Sequence, residues 1–215
     1  MAFEAVIFDC DGVLVDSEPI ANRVFAEALT DIGLPTTYEQ AVDDFMGLSM
    51  TACLQKVAQR LGTAMPQDFL ADLTERTYKA FKNELQPVAG IVDALEEIAL
   101  PMCVASSGEV SKMRFTLGLT GLLPRFDGRL FSATQVARGK PHPDIFLHAA
   151  KGIGASPERC VVVEDSVPGV RGGVSASMAV LGFAGGLTPA AELTKAGATV
   201  FFDMAELPGL LQSGF

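Results

Sequence analysis

The most constraining feature of this chain is a short apolar run near its start that ends in two carboxylates. Residues Ala5–Phe8 are all apolar, and Asp9, Asp11 and Gly12 follow directly. A strand that is apolar at every position is typical of a parallel sheet covered on both faces, and open sheets of this kind bind ligands at the carboxyl ends of their strands. Asp and Gly also form ordinary turns after strands. Two neighbouring acids at a buried edge, however, favour a bound cation, and all-oxygen ligands favour Mg²⁺.

Further β-like runs alternate with segments of helical spacing along the rest of the chain. The order of these segments predicts an α/β fold, with a Rossmann-like parallel sheet core flanked by helices. Prolines predict helix starts at 143–144, 157–158 and 189–190. The further predicted strands are Met102–Ser106, Cys160–Asp165, Met178–Gly182 and Thr199–Phe202.

The segment 17–84 interrupts this alternation, because it contains helical apolar stripes and no credible strand. We therefore predict a catalytic core formed by 1–16 and 85–215 and an inserted all-helical cap domain formed by 17–84. An insert at the end of the first strand is placed to exclude water and to select substrate. The apolar stripes are Ile20, Val24, Phe25 and Leu29, then Leu54, Val57, Ala58 and Leu61, then Phe69, Leu73, Thr77 and Phe81.

Composition narrows the classes of partner. The 215 residues carry a formal net charge of −10 and no run of Lys or Arg, which argues against nucleic acid and anionic membranes as partners. Four cysteines without CxxC spacing are typical of reduced core residues, and neither a signal peptide nor a membrane span is recognisable. We expect a cytoplasmic protein. The sequence leaves the oligomeric state unknown, and a monomer is plausible.

Polar residues follow four of the predicted elements where an α/β sheet would bring them into one crevice. Each has an ordinary alternative: a serine can cap a helix, a loop lysine can be solvated, and adjacent acids can form a turn. Taken together, the acids predict an oxygen-rich metal site, and the lysine supplies the positive charge that a bound phosphate needs. These groups are Asp9 with Asp11, Ser106 with Ser107, Lys140, and Glu164 with Asp165.

The same residues resemble the four ordered motifs of the haloacid dehalogenase superfamily. The motifs are Asp9-x-Asp11-Gly12-Val13-Leu14-Val15-Asp16-Ser17-Glu18, then Ser106, then Lys140-Pro141-His142-Pro143-Asp144, then Glu164-Asp165-Ser166. Four motifs in order are far more specific than one. The inserted helices resemble the C1-type cap of the phosphatase and β-phosphoglucomutase branch. Other segments are similar to bacterial phosphatases of small sugar or sugar-acid phosphates, of the 6-phosphogluconate phosphatase type.

The resemblance implies a mechanism and a set of roles. Asp9 is the expected nucleophile and Asp11 the acid and base, while Ser106 binds a phosphate oxygen and Lys140 neutralises charge. Mg²⁺ is expected on Asp9, the backbone carbonyl of Asp11, and Asp165, with Glu164 in or near its coordination shell. Further substrate contacts are assigned to Cys10, Gly12, Ser107 and Gly47.

One alternative function uses the same four motifs. A β-phosphoglucomutase-like isomerase is disfavoured because those enzymes carry a histidine where this chain has Ala21, and a basic residue after Gly47 where it has Leu48-Ser49-Met50. A dehalogenase does not need Asp11, because a halide leaves unprotonated. The presence of Asp11 and of the acidic pair Glu164-Asp165 therefore argues for a phosphate ester as the substrate. A non-catalytic Mg²⁺-binding receiver-type protein is the other alternative. We therefore predict a Mg²⁺-dependent phosphatase of a small phosphorylated metabolite.

Overall fold

The computed structural model describes residues 3–46, 48 and 50–214. Residue contacts divide the chain into two compact units. The first is Met1–Asp16 with Gln86–Phe215, and the second is Ser17–Leu85.

The first unit is built on a six-stranded parallel sheet, which confirms the predicted α/β fold class. Its strands are β1 (Ala5–Phe8), β2 (Met102–Ser106), β3 (Leu130–Ser132), β4 (Cys160–Glu164), β5 (Ala179–Phe183) and β6 (Thr199–Phe201). They lie in the order β3-β2-β1-β4-β5-β6. Because β1 lies between β2 and β4, the strand order reverses beside it.

Helices fill the connections between these strands and make up the second unit. In chain order they are α1 (Glu18–Asp31), α2 (Tyr38–Phe45), α3 (Met50–Leu61), α4 (Phe69–Glu84), α5 (Ile91–Glu97), α6 (Val110–Leu119), α7 (Leu123–Phe126), α8 (Asp144–Gly152), α9 (Val167–Ser175), α10 (Ala190–Ala196) and α11 (Leu207–Ser213). The prolines at 143 and 189 precede helix starts as predicted. The prediction at 157–158 is wrong in type, because Pro157–Arg159 forms a single 3₁₀ turn.

The central strands β1 and β4 are buried on both faces, which explains why every residue of β1 and all but the last residue of β4 are apolar. All four residues of β1 and all five of β4 are buried. Ile7 pairs with Cys103 on one side and with Val162 on the other, and α8 packs Ile145 and Phe146 into the same core. Burial of this kind contributes roughly 25 cal/mol per Å² of apolar surface removed from water. The edge strand β3 was not predicted, because only two apolar residues, Leu130 and Phe131, stand between Arg129 and Ser132.

In the second unit, α1 and α4 bury the predicted stripes, including Val24, Leu29 and Leu73. Phe25 packs edge-on against Phe45 of α2, with ring centroids 5.0 Å apart. The short α2 was not predicted. It begins with a capping box in which Thr37 accepts a bond from the Gln40 N–H while the Gln40 side chain accepts one from the Thr37 N–H.

Two details of the predicted insert differ from the structure. In α3 the buried residues are Cys53 and Val57, whereas Ala58 is exposed and Leu54 is only partly buried. The second junction lies after Leu85 rather than before it. Leu85 is buried, and its N–H donates to the Phe81 carbonyl at the end of α4, so it completes that helix.

Within the described ranges, no helix combines the length and apolar character needed to cross a membrane.

The core cysteines give the first testable prediction. All four are free and buried, and burial raises the pKa of Cys103 to about 12 and that of Cys160 to about 11. Because the thiolate is the reactive form, we expect both thiols to react with Ellman's reagent at pH 8 more than about tenfold more slowly than glutathione, and to react fully after unfolding in guanidinium. Peptide mass spectrometry assigns the labelled sites. Labelling of Cys103 or Cys160 in the native protein at the glutathione rate would show that the core is open there.

Candidate active site

The predicted site residues of the first unit lie at the carboxyl ends of its central strands. Asp9 follows β1, Ser106 ends β2, and Glu164 with Asp165 ends β4. The chain runs from β1 through β2 to β3 on one side and then crosses back to β4 on the other. This reversal of strand order opens a crevice, which is where open α/β sheets bind ligands.

Lys140 is the central cation of this crevice. Its Nζ donates to Oδ1 of Asp9 at 2.5 Å and to Oε1 of Glu164 at 2.6 Å, and its side chain is only 4% exposed. Burial lowers the pKa of Lys140, but the charges of Asp9 and Glu164 outweigh burial and raise the pKa above its ordinary value. Lys140 therefore carries a fixed positive charge beside Asp9.

Glu164 is fully buried and is held from two sides. Its Oε1 accepts the Lys140 bond, and its Oε2 accepts bonds from the backbone N–H and the hydroxyl of Ser166. Gly169 in the first turn of α9 makes room for it, because a Cβ there would lie 1.6 Å from Oε1. The Ser166 hydroxyl also caps α9 by accepting the Gly169 N–H.

Asp165 lies against the turn that contains Gly12. Gly12 has a φ of +77°, in the left-handed region that favours glycine, and a Cβ at this position would lie 2.1 Å from Oδ2 of Asp165. A glycine at this turn thus lets the two chain segments approach closely. One carboxylate oxygen from each of Asp9, Glu164 and Asp165 lies within 4.8 Å of the others, and all three residues are buried.

Asp11 points to a different lysine from Asp9. Lys112 in α6 donates from Nζ to Oδ2 of Asp11 at 2.8 Å. Each of the two aspartates of the motif therefore has its own ammonium partner. The sequence interpretation did not assign a role to Lys112, because a lysine near a helix start carries no pattern that points to an active site.

Ser106, at the end of β2, has a hydroxyl group that can donate a hydrogen bond to a ligand. Ser106 is buried, and its Oγ accepts the Gly108 N–H at 3.1 Å, which leaves the O–H free to donate elsewhere. Ser107 is exposed at the same turn. Ser132 at the end of β3 supports the turn, because its hydroxyl donates to the Gly108 carbonyl at 2.8 Å. The sequence interpretation did not assign Ser132.

Two other predicted substrate contacts need separate mention. The Cys10 side chain is buried, and its Sγ lies 3.9 Å from Oγ1 of Thr116 in α6, so that only its backbone can face a ligand. Gly47 lies outside the described residues, so its predicted contact with substrate stays a prediction.

Burial shapes the electrostatics of the nucleophile candidate. Desolvation raises the pKa of Asp9 to about 7, with the charge of Lys140 lowering it and the charges of Glu164 and Asp11 raising it further. The crevice is short of positive charge. Four carboxylates, Asp9, Asp11, Glu164 and Asp165, face two ammonium groups, Lys112 and Lys140, so the fully ionised cluster has a formal charge of −2.

This arrangement fits a divalent cation. The three clustered carboxylates supply only oxygen ligands, which Mg²⁺ and Ca²⁺ prefer over softer donors. A single divalent ion would cancel the formal charge of the cluster. Because Gly12 has no Cβ, the Asp165 carboxylate can lie against the Gly12 turn and within 4.8 Å of a carboxylate oxygen of Asp9.

The close approach at Gly169 gives the second prediction. Gly169→Ala should destabilise the protein by about 1–3 kcal/mol, because the new methyl group displaces Glu164 from Lys140 and Ser166. Gly209→Ala in α11 is the matched control. A Cβ at Gly209 meets nothing within 4 Å, and alanine favours a helix over glycine by about 0.5–1 kcal/mol. Chemical unfolding measures both variants, and equal stability changes would contradict this account of Gly169.

Comparison with known proteins identifies the family. The model of the haloacid dehalogenase-like hydrolases matches residues 3–177. The chain is 35% identical over 185 residues to the 6-phosphogluconate phosphatase of Escherichia coli K12, covering 84% of this chain and 82% of that protein.

Solved structures agree with the family match. A conserved haloacid dehalogenase-like protein of unknown function from Agrobacterium tumefaciens superposes with a TM-score of 0.89 at 36% identity, covering 99% of both chains. A HAD family hydrolase from Deinococcus radiodurans, solved with bound phosphate and sodium, superposes with a TM-score of 0.82 at 34% identity, covering 99% of this chain and 96% of that one. This chain belongs to the haloacid dehalogenase-like hydrolases.

Proposed function

We propose that this protein is a phosphatase that hydrolyses a small phosphorylated metabolite through a phosphoryl group carried on Asp9. The observation that supports this most directly is the arrangement of Asp9 between a buried lysine and a second aspartate at the reversal of strand order. Lys140 bonds Asp9, and Asp11 lies two residues further on with its own ammonium partner. A nucleophile and a separate proton donor are what phosphoryl transfer to a side chain requires.

The first half of the reaction transfers the phosphoryl group. An Asp9 carboxylate oxygen attacks phosphorus, and the bond between phosphorus and the ester oxygen breaks. Asp11, in its protonated form, donates its proton to that oxygen, so the product leaves as an alcohol. Lys140 offsets the repulsion between the Asp9 carboxylate and the negatively charged phosphoryl oxygens, and the Ser106 hydroxyl donates to one of those oxygens.

The second half restores the protein. Asp11, now ionised, removes a proton from water as the water oxygen attacks phosphorus. The bond between phosphorus and the Asp9 oxygen breaks, inorganic phosphate leaves, and Asp9 is again a carboxylate. Asp11 is then protonated for the next cycle.

A magnesium ion is the cofactor that best matches the carboxylate cluster. Asp9, Asp165 and the backbone carbonyl of Asp11 would hold it, with Glu164 in or near the coordination shell. When bound, the ion supplies positive charge for the transferring phosphoryl group. Glu164 already bonds Lys140 and Ser166, which supports a main role in positioning the lysine.

The substrate proposal rests on the relative in Escherichia coli, whose name is 6-phosphogluconate phosphatase. We infer a small sugar or sugar-acid phosphate as the substrate class. The second unit, Ser17–Leu85, is the proposed cap that selects among such esters. Its sequence position directly after β1 and the carboxylates supports this role.

The third prediction tests the nucleophile. Asp9→Asn should reduce kcat for p-nitrophenyl phosphate by at least about 10³-fold, because an amide is a poor nucleophile and forms no stable phosphoryl adduct. Asp16→Asn is the matched control, since Asp16 is exposed and also lies in the first unit, and it should keep its turnover. Turnover by Asp9→Asn close to that of Asp16→Asn would disprove the nucleophile assignment.

The same assay separates the alternative functions when sugar phosphates are used and the products are identified. A phosphatase releases inorganic phosphate in proportion to substrate consumed. A phosphoglucomutase-like isomerase would convert one sugar phosphate to another and would need a bisphosphate activator. A receiver-type binding protein would not turn over any ester.

A further inference from the structure

We propose that Lys112 is a positioning residue that holds the Asp11 carboxylate in place for its work as acid and base. This inference rests on the proposed function and adds a residue to it. The geometry that carries it is the contact of one face of α6 with the two consecutive residues that follow the nucleophile.

The ion pair itself is short and partly shielded. Nζ of Lys112 lies 2.8 Å from Oδ2 of Asp11, and the two side chains are 33% and 24% exposed. A pair this close and this shielded restrains both side chains more than a fully exposed pair would. Arg114, two residues later in α6, shows the contrast, because it pairs with Asp127 with both side chains more than half exposed.

The face of α6 that carries Lys112 makes a second contact with the same segment. Thr116 lies four residues after Lys112, so the two side chains share one face of the helix. Thr116 Oγ1 lies 3.9 Å from Sγ of Cys10, and it also donates to the Lys112 carbonyl at 3.1 Å. Successive turns of α6 therefore contact Asp11 and Cys10, which fixes the direction of both side chains.

Helix stability does not explain a lysine at this position. Lys112 is the third residue of α6, where the positive end of the helix dipole disfavours a cation, and the acid at its N-cap, Glu109, accepts a bond from the Ser111 hydroxyl. The Nζ of Lys112 instead lies 2.8 Å from Oδ2 of Asp11. The ammonium is thus retained at an unfavourable site by its contact with Asp11.

The contact places the acid beside the turn that is proposed to bind phosphate. A Cβ at Gly108 would lie 3.4 Å from Cδ of Lys112, 3.5 Å from Oγ of Ser106 and 3.9 Å from Oδ2 of Asp11. The Lys112 stem, the Ser106 hydroxyl and the Asp11 carboxylate therefore surround one glycine. When the phosphoryl group of a substrate accepts a hydrogen bond from Ser106, the Asp11 carboxyl group held by Lys112 is close to the ester oxygen that must be protonated.

The two lysines have separate roles, because each contacts a different aspartate. Lys140 bonds the nucleophile Asp9, and Lys112 bonds the acid Asp11. Both pairs lie within the unit formed by Met1–Asp16 and Gln86–Phe215. Placement of the acid is therefore built into the same unit that carries the nucleophile.

The fourth prediction compares substrates whose leaving groups need a proton with substrates whose leaving groups do not. Lys112→Met should lower kcat/KM for alkyl phosphates by about 10–100-fold and for p-nitrophenyl phosphate by less than about threefold, because p-nitrophenolate leaves without protonation. The plot of log(kcat/KM) against leaving-group pKa across alkyl and aryl phosphates should steepen. Lys112→Arg should restore part of the alkyl phosphate activity. The control Arg114→Met, which removes a charge from the same helix, should leave the slope unchanged.

A double-mutant cycle separates this inference from the proposed function. Asp11→Asn alone should show the same selective loss of kcat/KM on alkyl phosphates, because kcat/KM reports the first half of the reaction and not the later attack of water. Adding Lys112→Met to it should cause no further selective loss of kcat/KM. If Asp11→Asn is not selective, the acid assignment itself is wrong. If Asp11→Asn is selective but Lys112→Met lowers all esters equally or none, the positioning role is wrong, and an equal loss would place Lys112 on the phosphoryl group or in the fold. Lys112→Gln repeats the test should the methionine variant not fold.

Discussion

The buried ammonium group of Lys140 is the interaction on which the site depends. It bonds Asp9 after β1 and Glu164 at the end of β4 while being almost completely removed from water. Removing one partner of such a group leaves an unpaired buried charge, which typically costs about 3–5 kcal/mol. Lys140, Asp9 and Glu164 are therefore linked into one structural cluster, and Ser166 and Gly169 at the start of α9 hold Glu164 in place.

The same cluster favours a further cation. Two lysines face four carboxylates, and the remaining formal charge of −2 lies beside Asp9. Burial is the largest of the causes that raise the pKa of Asp9 to about 7, and a protonated carboxyl group is a poor nucleophile. A divalent ion held by Asp9 and Asp165 would favour the ionised carboxylates and so oppose this effect. In the proposed mechanism, metal binding would therefore also activate Asp9.

Much of the fold could be predicted because its central strands are apolar up to their carboxyl ends and alternate with helices. The positions of Asp9 and Glu164 followed from the ends of those strands, whereas Lys140 lies in the loop before α8 and was predicted from the positive charge that the carboxylates and a phosphate need. Lys112 could not be assigned in this way, since only the packing of α6 against residues 10 and 11 brings it to the site. The strand β3 was missed because only Leu130 and Phe131 mark it as apolar. Helix α2 does carry apolar residues at helical spacing, at Tyr38, Ala41, Val42 and Phe45, so its sequence contained a signal that the prediction did not use.

The glycines show a further limit of sequence reasoning. Gly12 appears in a recognisable motif, but its close approach to Asp165 depends on how β1 and β4 pair. Gly169 looks like an unfavourable residue near the start of a helix, and only the position of the Glu164 carboxylate explains it. Requirements of this kind come from tertiary contacts, which no local pattern records.

Calorimetric titration of the purified protein with MgCl₂ tests the central claim most directly. The charge balance predicts one ion bound per chain, with affinity greatly reduced in Asp165→Asn and unchanged in Asp16→Asn. The absence of binding at millimolar Mg²⁺, or equal binding by wild type and Asp165→Asn, would contradict the assignment of the carboxylate cluster as a metal site.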